Sequence, residues 1–339
     1  MTALDRMEIR EIPMPVPGRG EVLVKLEYVG ICGSDLHYFH EGRCGSFRVD
    51  GDFILGHECA GTVVETGEAV RQLKAGDRVA LEPGIPCGKC AFCKSGRYNL
   101  CPEVAFLATP PVQGAFSSYL VFPEDMCFAL PEQVSTKEGA MVEPLCVGLH
   151  AAAQGNVRLG DRVIILGAGC IGLVSLLACK AAGATDITVV DVLPNRLERA
   201  VHLGATHTIL AEQGEDVIAV YTRLTGGALA EKVIETAGTA ATVSQTAHLA
   251  GRGGTIVLVG LAPDSKITYD FAPIMEREIQ IKTVFRYRNL YPTAIAAIAN
   301  GKIDVSGIVS HEYEFERIQE AFMQSIKRKQ EIVKAIIRM

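Results

Sequence analysis

Over residues 1–145 apolar and polar positions alternate in short runs set between glycines. Glu21-Val22-Leu23-Val24-Lys25-Leu26, Gly61-Thr62-Val63-Val64-Glu65-Thr66, Asp77-Arg78-Val79-Ala80-Leu81 and Ser117-Ser118-Tyr119-Leu120-Val121-Phe122 are the clearest. Period-two alternation bounded by turn residues predicts strands with one buried face, and so a β-rich, barrel-like half. The pattern changes after Pro144. Arg162-Val163-Ile164-Ile165-Leu166 is a continuous apolar run, as expected of a parallel strand buried on both faces. It passes into Gly167-Ala168-Gly169-Cys170-Ile171-Gly172, an Ala- and Leu-rich helical stretch to Ala182, and a second strand, Ile187-Thr188-Val189-Val190-Asp191. A helix over 195–203, a strand and turn over 232–238 and a buried strand over 254–260 continue the alternation. Residues 146–285 are therefore expected to form a doubly wound α/β domain. Beyond 286, a helix near 292–300, an amphipathic helix over 315–329 and a last strand over 333–338 are too little to fold alone. They are expected to return and complete the first half, so that one domain comprises 1–145 and 286–339.

Composition narrows the function. A chain of 339 residues can bury two cores, and 48% hydrophobic with 21% charged residues is the balance of a soluble globular protein. A net charge of −6 argues against nucleic acid or an anionic membrane as partner. No apolar run approaches the ~18 residues of a membrane span. The sequence begins without a secretory leader, and seven of its eleven cysteines are scattered singly, which predicts a cytoplasmic, reducing location.

The glycine run is a dinucleotide signature in its required context, with a strand before, a helix after and an acid about twenty residues on. Gly167 permits the tight turn, Gly169 lets backbone approach a pyrophosphate, and Gly172 lets helix and strand pack closely. Together with Ile171 these form the expected cofactor turn, with the helix N-terminus facing the phosphates. Asp191 would accept hydrogen bonds from ribose hydroxyls and repel a 2′-phosphate, favouring NAD over NADP. Arg196 is the dissenting feature, since an arginine there could meet that phosphate.

Two clusters suggest metals. Cys32 and Gly56-His57-Glu58 offer a thiolate, an imidazole and a carboxylate, three ligands for one zinc that leave a fourth position open for chemistry. Single Cys and His residues also serve as core filling. The run Cys32-Gly33-Ser34-Asp35-Leu36-His37 adds Asp35 as a candidate acceptor for His57. Ser34 and His37 could carry a proton outward, although His37 could equally be a solvated loop residue. Cys87, Cys90, Cys93 and Cys101 form a C-x2-C-x2-C-x7-C ladder, enough for a closed tetrahedral zinc that braces a loop. Iron–sulfur clusters use similar spacings; disulfides do not suit a reducing compartment.

With these residues in this order, the chain resembles the zinc-dependent medium-chain dehydrogenases over essentially its whole length. The resemblance implies a GroES-like β-rich catalytic domain with a structural zinc lobe at about 84–104, a Rossmann domain, and an active site between them. It also implies one catalytic and one structural zinc, NAD, and a homo-oligomer, a tetramer before a dimer. Within the family the chain is similar to sorbitol, or polyol, dehydrogenases. Simple alcohol dehydrogenases place a second cysteine ligand where Met141-Val142-Glu143-Pro144-Leu145 stands here. In the polyol type Glu58 ligates the metal, and Glu143 holds its water. Tyr38, Phe106, Thr109, Phe285, Arg286 and Tyr287 match residues that line the substrate cleft. A polyol presents several hydroxyls, so a pocket with fixed hydroxyl and guanidinium donors suits it better than an apolar slot. Without the resemblance, Phe285-Arg286-Tyr287 reads equally well as the end of a sheet strand. Mammalian sorbitol dehydrogenases lack the zinc lobe, so the ladder points to a microbial-type member. The implied reaction is oxidation of a secondary hydroxyl of a polyol of sorbitol, xylitol or L-iditol type to the ketose, zinc acting as Lewis acid and hydride passing to NAD. Threonine dehydrogenase, another secondary-alcohol dehydrogenase, or an idle NAD-binding relative are the alternatives.

Overall fold

The computed structural model describes residues 1–212, 215–262 and 266–339. It divides into two compact units: Met1–Glu143 with Arg288–Gly301 and Val309–Met339, and Pro144–Tyr287 with Lys302–Ile308. The short Lys302–Ile308 segment clusters with the second unit, although the tail was expected as a whole in the first.

The elements that matter run, in chain order, β1 (Glu21–Gly30), α1 (Gly33–Glu41), β2 (Glu58–Thr66), β3 (Arg78–Leu81), β4 (Tyr119–Pro123), β5 (Cys127–Ala129) and α2 (Val142–Gln154). The second unit supplies β6 (Arg162–Leu166), α3 (Cys170–Ala182), β7 (Asp186–Asp191), α4 (Pro194–Leu203), β8 (His207–Leu210), α5 (Val217–Leu224), β9 (Ala230–Glu235), α6 (Ala240–Leu249), β10 (Ala250–Leu258) and β11 (Gln280–Thr283). The tail adds α7 (Tyr291–Ala299), β12 (His311–Glu314), α8 (Ile318–Lys327) and β13 (Ala335–Arg338).

In the first unit a seven-stranded sheet runs β12-β13-β1-β2-β3-β5, with β4 also paired to β1. β1 organises it. Along one edge it pairs antiparallel with β2, while along the other Glu21–Lys25 meet β4 and Tyr28–Gly30 meet β13. A register irregularity between Leu26 and Tyr28 marks the changeover, the kind of local kink by which one strand serves two neighbours. Val22, Val24, Leu26 and Val29 point into a core shared with Phe39, Phe122 and Phe322. Phe39 and Phe322 lie 5.1 Å apart, so α1 and α8 are packed through their aromatics.

The second unit is a six-stranded sheet in the order β8-β7-β6-β9-β10-β11, parallel throughout. This is the doubly wound order in which sheet order reverses between the first and fourth strands. Val163, Ile164, Ile165 and Leu166 are fully buried, which is why that run shows no alternation. Elements differ from expectation mainly at their ends. The tail helix begins as a short 3-10 turn at Phe315–Arg317, and α1 stands where the sequence read only as a run of ligands. Its start is fixed by Asp35, whose side chain accepts the Cys32 amide at 3.0 Å as in a capping box. A cysteine at the cap hid that signal. Among the described residues no helix is long and apolar enough to cross a membrane.

Candidate active site

β1 ends at Gly30, and two residues later Cys32 caps α1; His57 and Glu58 stand together at the entry to β2. The register pairs Gly30 with Glu58. As a result one ligand atom from each of Cys32, His57 and Glu58 lies within 4.8 Å of the others. His57 and Glu58 are buried and Cys32 is partly exposed. The donor set suits zinc by chemistry, being one thiolate, one imidazole and one carboxylate. His57 Nδ1 is buried without a hydrogen-bond partner. Asp35 Oδ1 stands 3.7 Å from it, beyond hydrogen-bond range. Burial draws the His57 pKa down, but the charges of Asp35 and Cys32 outweigh it and hold the imidazole well above its ordinary value.

Asp35 is fully buried and ties the Cys32 and His57 loops together, accepting the Cys32 amide on Oδ2 and the Gly56 amide on Oδ1, each at 3.0 Å. Gly56 has φ +92°, and a Cβ there would come within 2.8 Å of the Phe116 ring. The turn that presents His57 therefore requires glycine. At Gly30 the constraint is space, since a Cβ would stand 2.1 Å from Glu58 Oε2. Both Glu58 oxygens accept from Lys334 Nζ, at 2.7 and 2.5 Å. Sequence reasoning missed Lys334, a lone lysine ahead of the last strand with no motif around it. Only the pairing of β13 with β1 brings it here.

Tyr38, Phe106 and Thr109 come together beside the same centre. The Phe106 ring lies 5.7 Å from the His57 ring. Tyr38 is buried beside the Thr109 side chain and within the field of Asp35 and His57; burial pushes its hydroxyl up to about 12, so it remains a donor. Ser34 is half-buried in the first turn of α1. His37 projects to solvent from α1, with Nδ1 3.0 Å from Glu41; it is a helix-surface residue and not part of a loop. Glu143 is buried in the first turn of α2 but is not one of the three clustered ligands. Its charge is felt at Cys59 and Glu82. Phe285, Arg286 and Tyr287 belong to the second unit, just past β11. Arg286 has φ +57° and lays its guanidinium 4.9 Å from the Phe285 ring centre, while Tyr287 is buried.

The four ladder cysteines form a second group whose sulfurs lie within 4.8 Å of one another. Amides of Cys87 and Cys93 donate to the sulfurs of Cys101 and Cys90, both at 3.4 Å. Backbone donors at Lys89 and Cys90 draw the Cys87 thiol down to about 7, whereas burial and neighbouring sulfurs push Cys93 up to about 12. Four thiols this close cannot all ionise without a cation among them, and an all-thiolate tetrahedron fits structural zinc. Three contacts that the sequence did not reveal hold the lobe. Tyr98 donates its hydroxyl to Glu82 at 2.7 Å and accepts the Asn289 amide at 2.7 Å. Arg288 donates to Asn99 Oδ1 at 3.2 Å.

In the second unit the turn after β6 has Gly167 at φ +103°, and a Cβ on Gly172 would sit 1.9 Å from the Gly167 carbonyl oxygen. Gly169 begins α3 without a side-chain cap, leaving a helix N-terminus suited to phosphate. Asp191 ends β7 and accepts the amides of Ala168 at 2.6 Å and Leu193 at 3.0 Å. Arg196 Nη1 is 3.8 Å from the same carboxylate, so the acid and the arginine are paired.

Comparison with known proteins agrees with this fold and with a zinc-type dehydrogenase. Residues 18–132 match the alcohol dehydrogenase GroES-like domain and residues 170–300 match the zinc-binding dehydrogenase domain. An uncharacterized zinc-type alcohol dehydrogenase-like protein of Escherichia coli K12 is 50% identical, over 98% of this chain and 95% of its own. Sorbitol dehydrogenase of Bacillus subtilis is 42% identical, over 98% of this chain and 94% of its own. An alcohol dehydrogenase of Escherichia coli CFT073 solved with NADH superposes with a TM-score of 0.91 at 26% identity, covering 100% of this chain and 97% of that one.

Proposed function

Since the chain belongs to the zinc-binding alcohol dehydrogenases, we propose that it oxidises a secondary hydroxyl of a polyol, of sorbitol, xylitol or L-iditol type, to the ketose with NAD as hydride acceptor. The observation that carries this reading is the meeting of Cys32, His57 and Glu58 with a Tyr38–Thr109 hydroxyl pair and the Phe106 ring in one buried place. An aliphatic alcohol has no use for those hydroxyls. A polyol does, because each neighbouring hydroxyl needs a partner when it leaves water.

Cys32, His57 and Glu58 would hold the catalytic zinc, which when bound supplies Lewis acidity toward a hydroxyl oxygen. Asp35 fixes the two loops that bear these ligands. Tyr38 and Thr109 orient the substrate by hydroxyls beside the reacting one. Phe106 stands beside the His57 ring and would give the substrate an apolar wall there. Glu143, buried and carboxylate-bearing, is proposed to orient or deprotonate the water at the metal centre and so take up the hydroxyl proton, and NAD when bound would supply the hydride acceptor. The balance is one C–H and one O–H bond broken for one C=O formed, with one proton released. Gly167, Gly169, Ile171 and Gly172 are proposed to cradle the pyrophosphate, with Asp191 on the ribose. Phe285, Arg286 and Tyr287 are proposed to complete substrate recognition. A second zinc, in the Cys87/Cys90/Cys93/Cys101 lobe, would be structural.

We also infer a cytoplasmic homotetramer. All eleven cysteines stand as free thiols, and β11 leaves one edge of the parallel sheet open with every residue exposed.

The deciding experiment is NADH formation by zinc-loaded protein across a polyol panel, with NAD and NADP in parallel and threonine and 2-butanol alongside. Turnover of a polyol with NAD supports the proposal. Turnover of threonine or 2-butanol alone refutes the substrate assignment while leaving the dehydrogenase chemistry intact.

A further inference from the structure

We propose that Lys334 is a positioning residue of the metal centre, sharing the Glu58 carboxylate with the metal and thereby setting how tightly the metal is held. The inference rests on the assignment of Cys32, His57 and Glu58 as metal ligands. Lys334 is 3% exposed and Glu58 1%, and among the described residues Lys334 is the one lysine or arginine that is buried. Its Nζ donates to both Glu58 oxygens and, at 3.1 Å, to the carbonyl of Ile31, the residue before Cys32. The ammonium is thus anchored to the ligand loop itself. The lysine backbone is fixed as well, because its carbonyl accepts the amides of Ser310 and His311. On the other side, Gly30 leaves room for the carboxylate and for nothing more.

Charge makes the arrangement functional. Cys32, Asp35 and Glu58 bring a thiol and two carboxyl groups into one small volume beside the His57 ring, and Lys334 is the ammonium placed directly on one of those carboxylates. A bare buried ammonium or carboxylate is strongly disfavoured, so Lys334 keeps the site assembled before the metal arrives. Once the metal is present, two cations compete for one carboxylate. Glu58, already hydrogen-bonded through both oxygens, would donate less electron density to a bound metal, which would then supply stronger Lewis acidity. A structural site has no need of this moderation; a catalytic one does.

The test compares wild type with Lys334→Met, Lys334→Gln, Lys334→Arg and Cys32→Ser. Zinc affinity is read by chelator competition on the folded holoenzyme, and coordination by the absorption spectrum after replacing the catalytic zinc with cobalt(II). Removing the lysine charge is expected to tighten metal binding at this centre at least tenfold and to shift the cobalt bands, with the four-cysteine zinc unaffected. Lys334→Arg is expected to resemble wild type. Unchanged or weaker affinity in both neutral variants, or their failure to fold even with zinc supplied, overturns the proposal and makes the pair scaffold. If Cys32→Ser keeps full metal content, the metal assignment itself falls and takes this proposal with it. Tighter zinc binding in the neutral variants together with an inert polyol panel would uphold this proposal and refute only the substrate.

Discussion

The Asp191 carboxylate accepts the Ala168 amide at 2.6 Å, so the acid that ends one strand is bonded to the glycine turn that follows its neighbour. Asp191 is therefore both a candidate ribose acceptor and a brace for the turn. Arg196, 3.8 Å away, is occupied by that same charge. Replacing Asp191 by serine takes that carboxylate away from the arginine and removes the repulsion toward a 2′-phosphate. The expected outcome is a fall of tenfold or more in kcat/KM with NAD and a rise with NADP, read from initial rates with both cofactors. A parallel loss of both would assign Asp191 to the turn alone.

Much of this was legible in the sequence because it was written in local patterns. The run 162–166, the glycine turn and Asp191 fall within thirty residues, so strand, turn and acid can be read together. The four ladder cysteines likewise announce themselves by spacing. Cys32, His57 and Glu58 could be grouped only because ligand chemistry and family resemblance pointed the same way. What could not be read is what depends on tertiary pairing. Lys334 reaches Glu58 across 276 positions, Tyr98 meets Asn289 across 191, and no local periodicity encodes either. His37 is the converse case, a residue close in sequence to the ligands that the turn of α1 carries to the surface.

Asp35 gives a sharp test of ligand positioning. It bonds two amides, each through a different oxygen. Asparagine preserves size, but its amide group must face one of those donors. Loss of such an orienting partner typically costs about 10- to 100-fold in metal affinity or activity. Asp35→Asn is expected to lower kcat and catalytic-zinc content together, measured by steady-state kinetics and metal analysis. Full occupancy with normal turnover would assign Asp35 to helix capping only.

Gly30→Ala addresses the same centre from the opposite side. The added methyl would stand 2.1 Å from Glu58 Oε2, a distance that forces the carboxylate to move. The pair with Lys334 would be strained or broken, and breaking a buried pair is severe, of the order of 3–5 kcal/mol. The variant is expected to unfold at lower denaturant and to lose the catalytic zinc while retaining the other. Denaturant titration with metal counting decides.

Removal of metal from the cysteine lobe should act on stability. Cys90→Ser takes away a sulfur 3.4 Å from Cys93 and the acceptor of its amide. Structural zinc contributes folding free energy directly. One zinc per chain is expected to be lost, with a lower Tm and new proteolytic cleavage between residues 87 and 101. An unchanged cleavage pattern would mean that Tyr98, Arg288 and Asn289 hold the lobe without metal.

Glu82 predicts how stability depends on pH. It is buried, and burial raises its pKa from 4.5 to about 7; the Tyr98 hydroxyl opposes the shift and the charge of Glu143 adds to it. The folded chain therefore holds a proton on Glu82 between roughly pH 4.5 and 7 that the unfolded chain has released. Stability falls with rising pH wherever the folded state binds more protons. The contribution of Glu82 is accordingly greatest below pH 4.5, declines through neutrality, and is gone above pH 7. Over that interval the loss is on the order of 3 kcal/mol. Glutamine keeps an oxygen to accept from Tyr98 but cannot ionise. Glu82→Gln is therefore expected to match wild type at pH 4.5 and to exceed it at pH 8, flattening the slope between. Urea unfolding across that range tests this. Equal destabilisation at both ends would show that the carboxylate is held charged by its neighbours throughout, with Tyr98 rather than burial deciding its state.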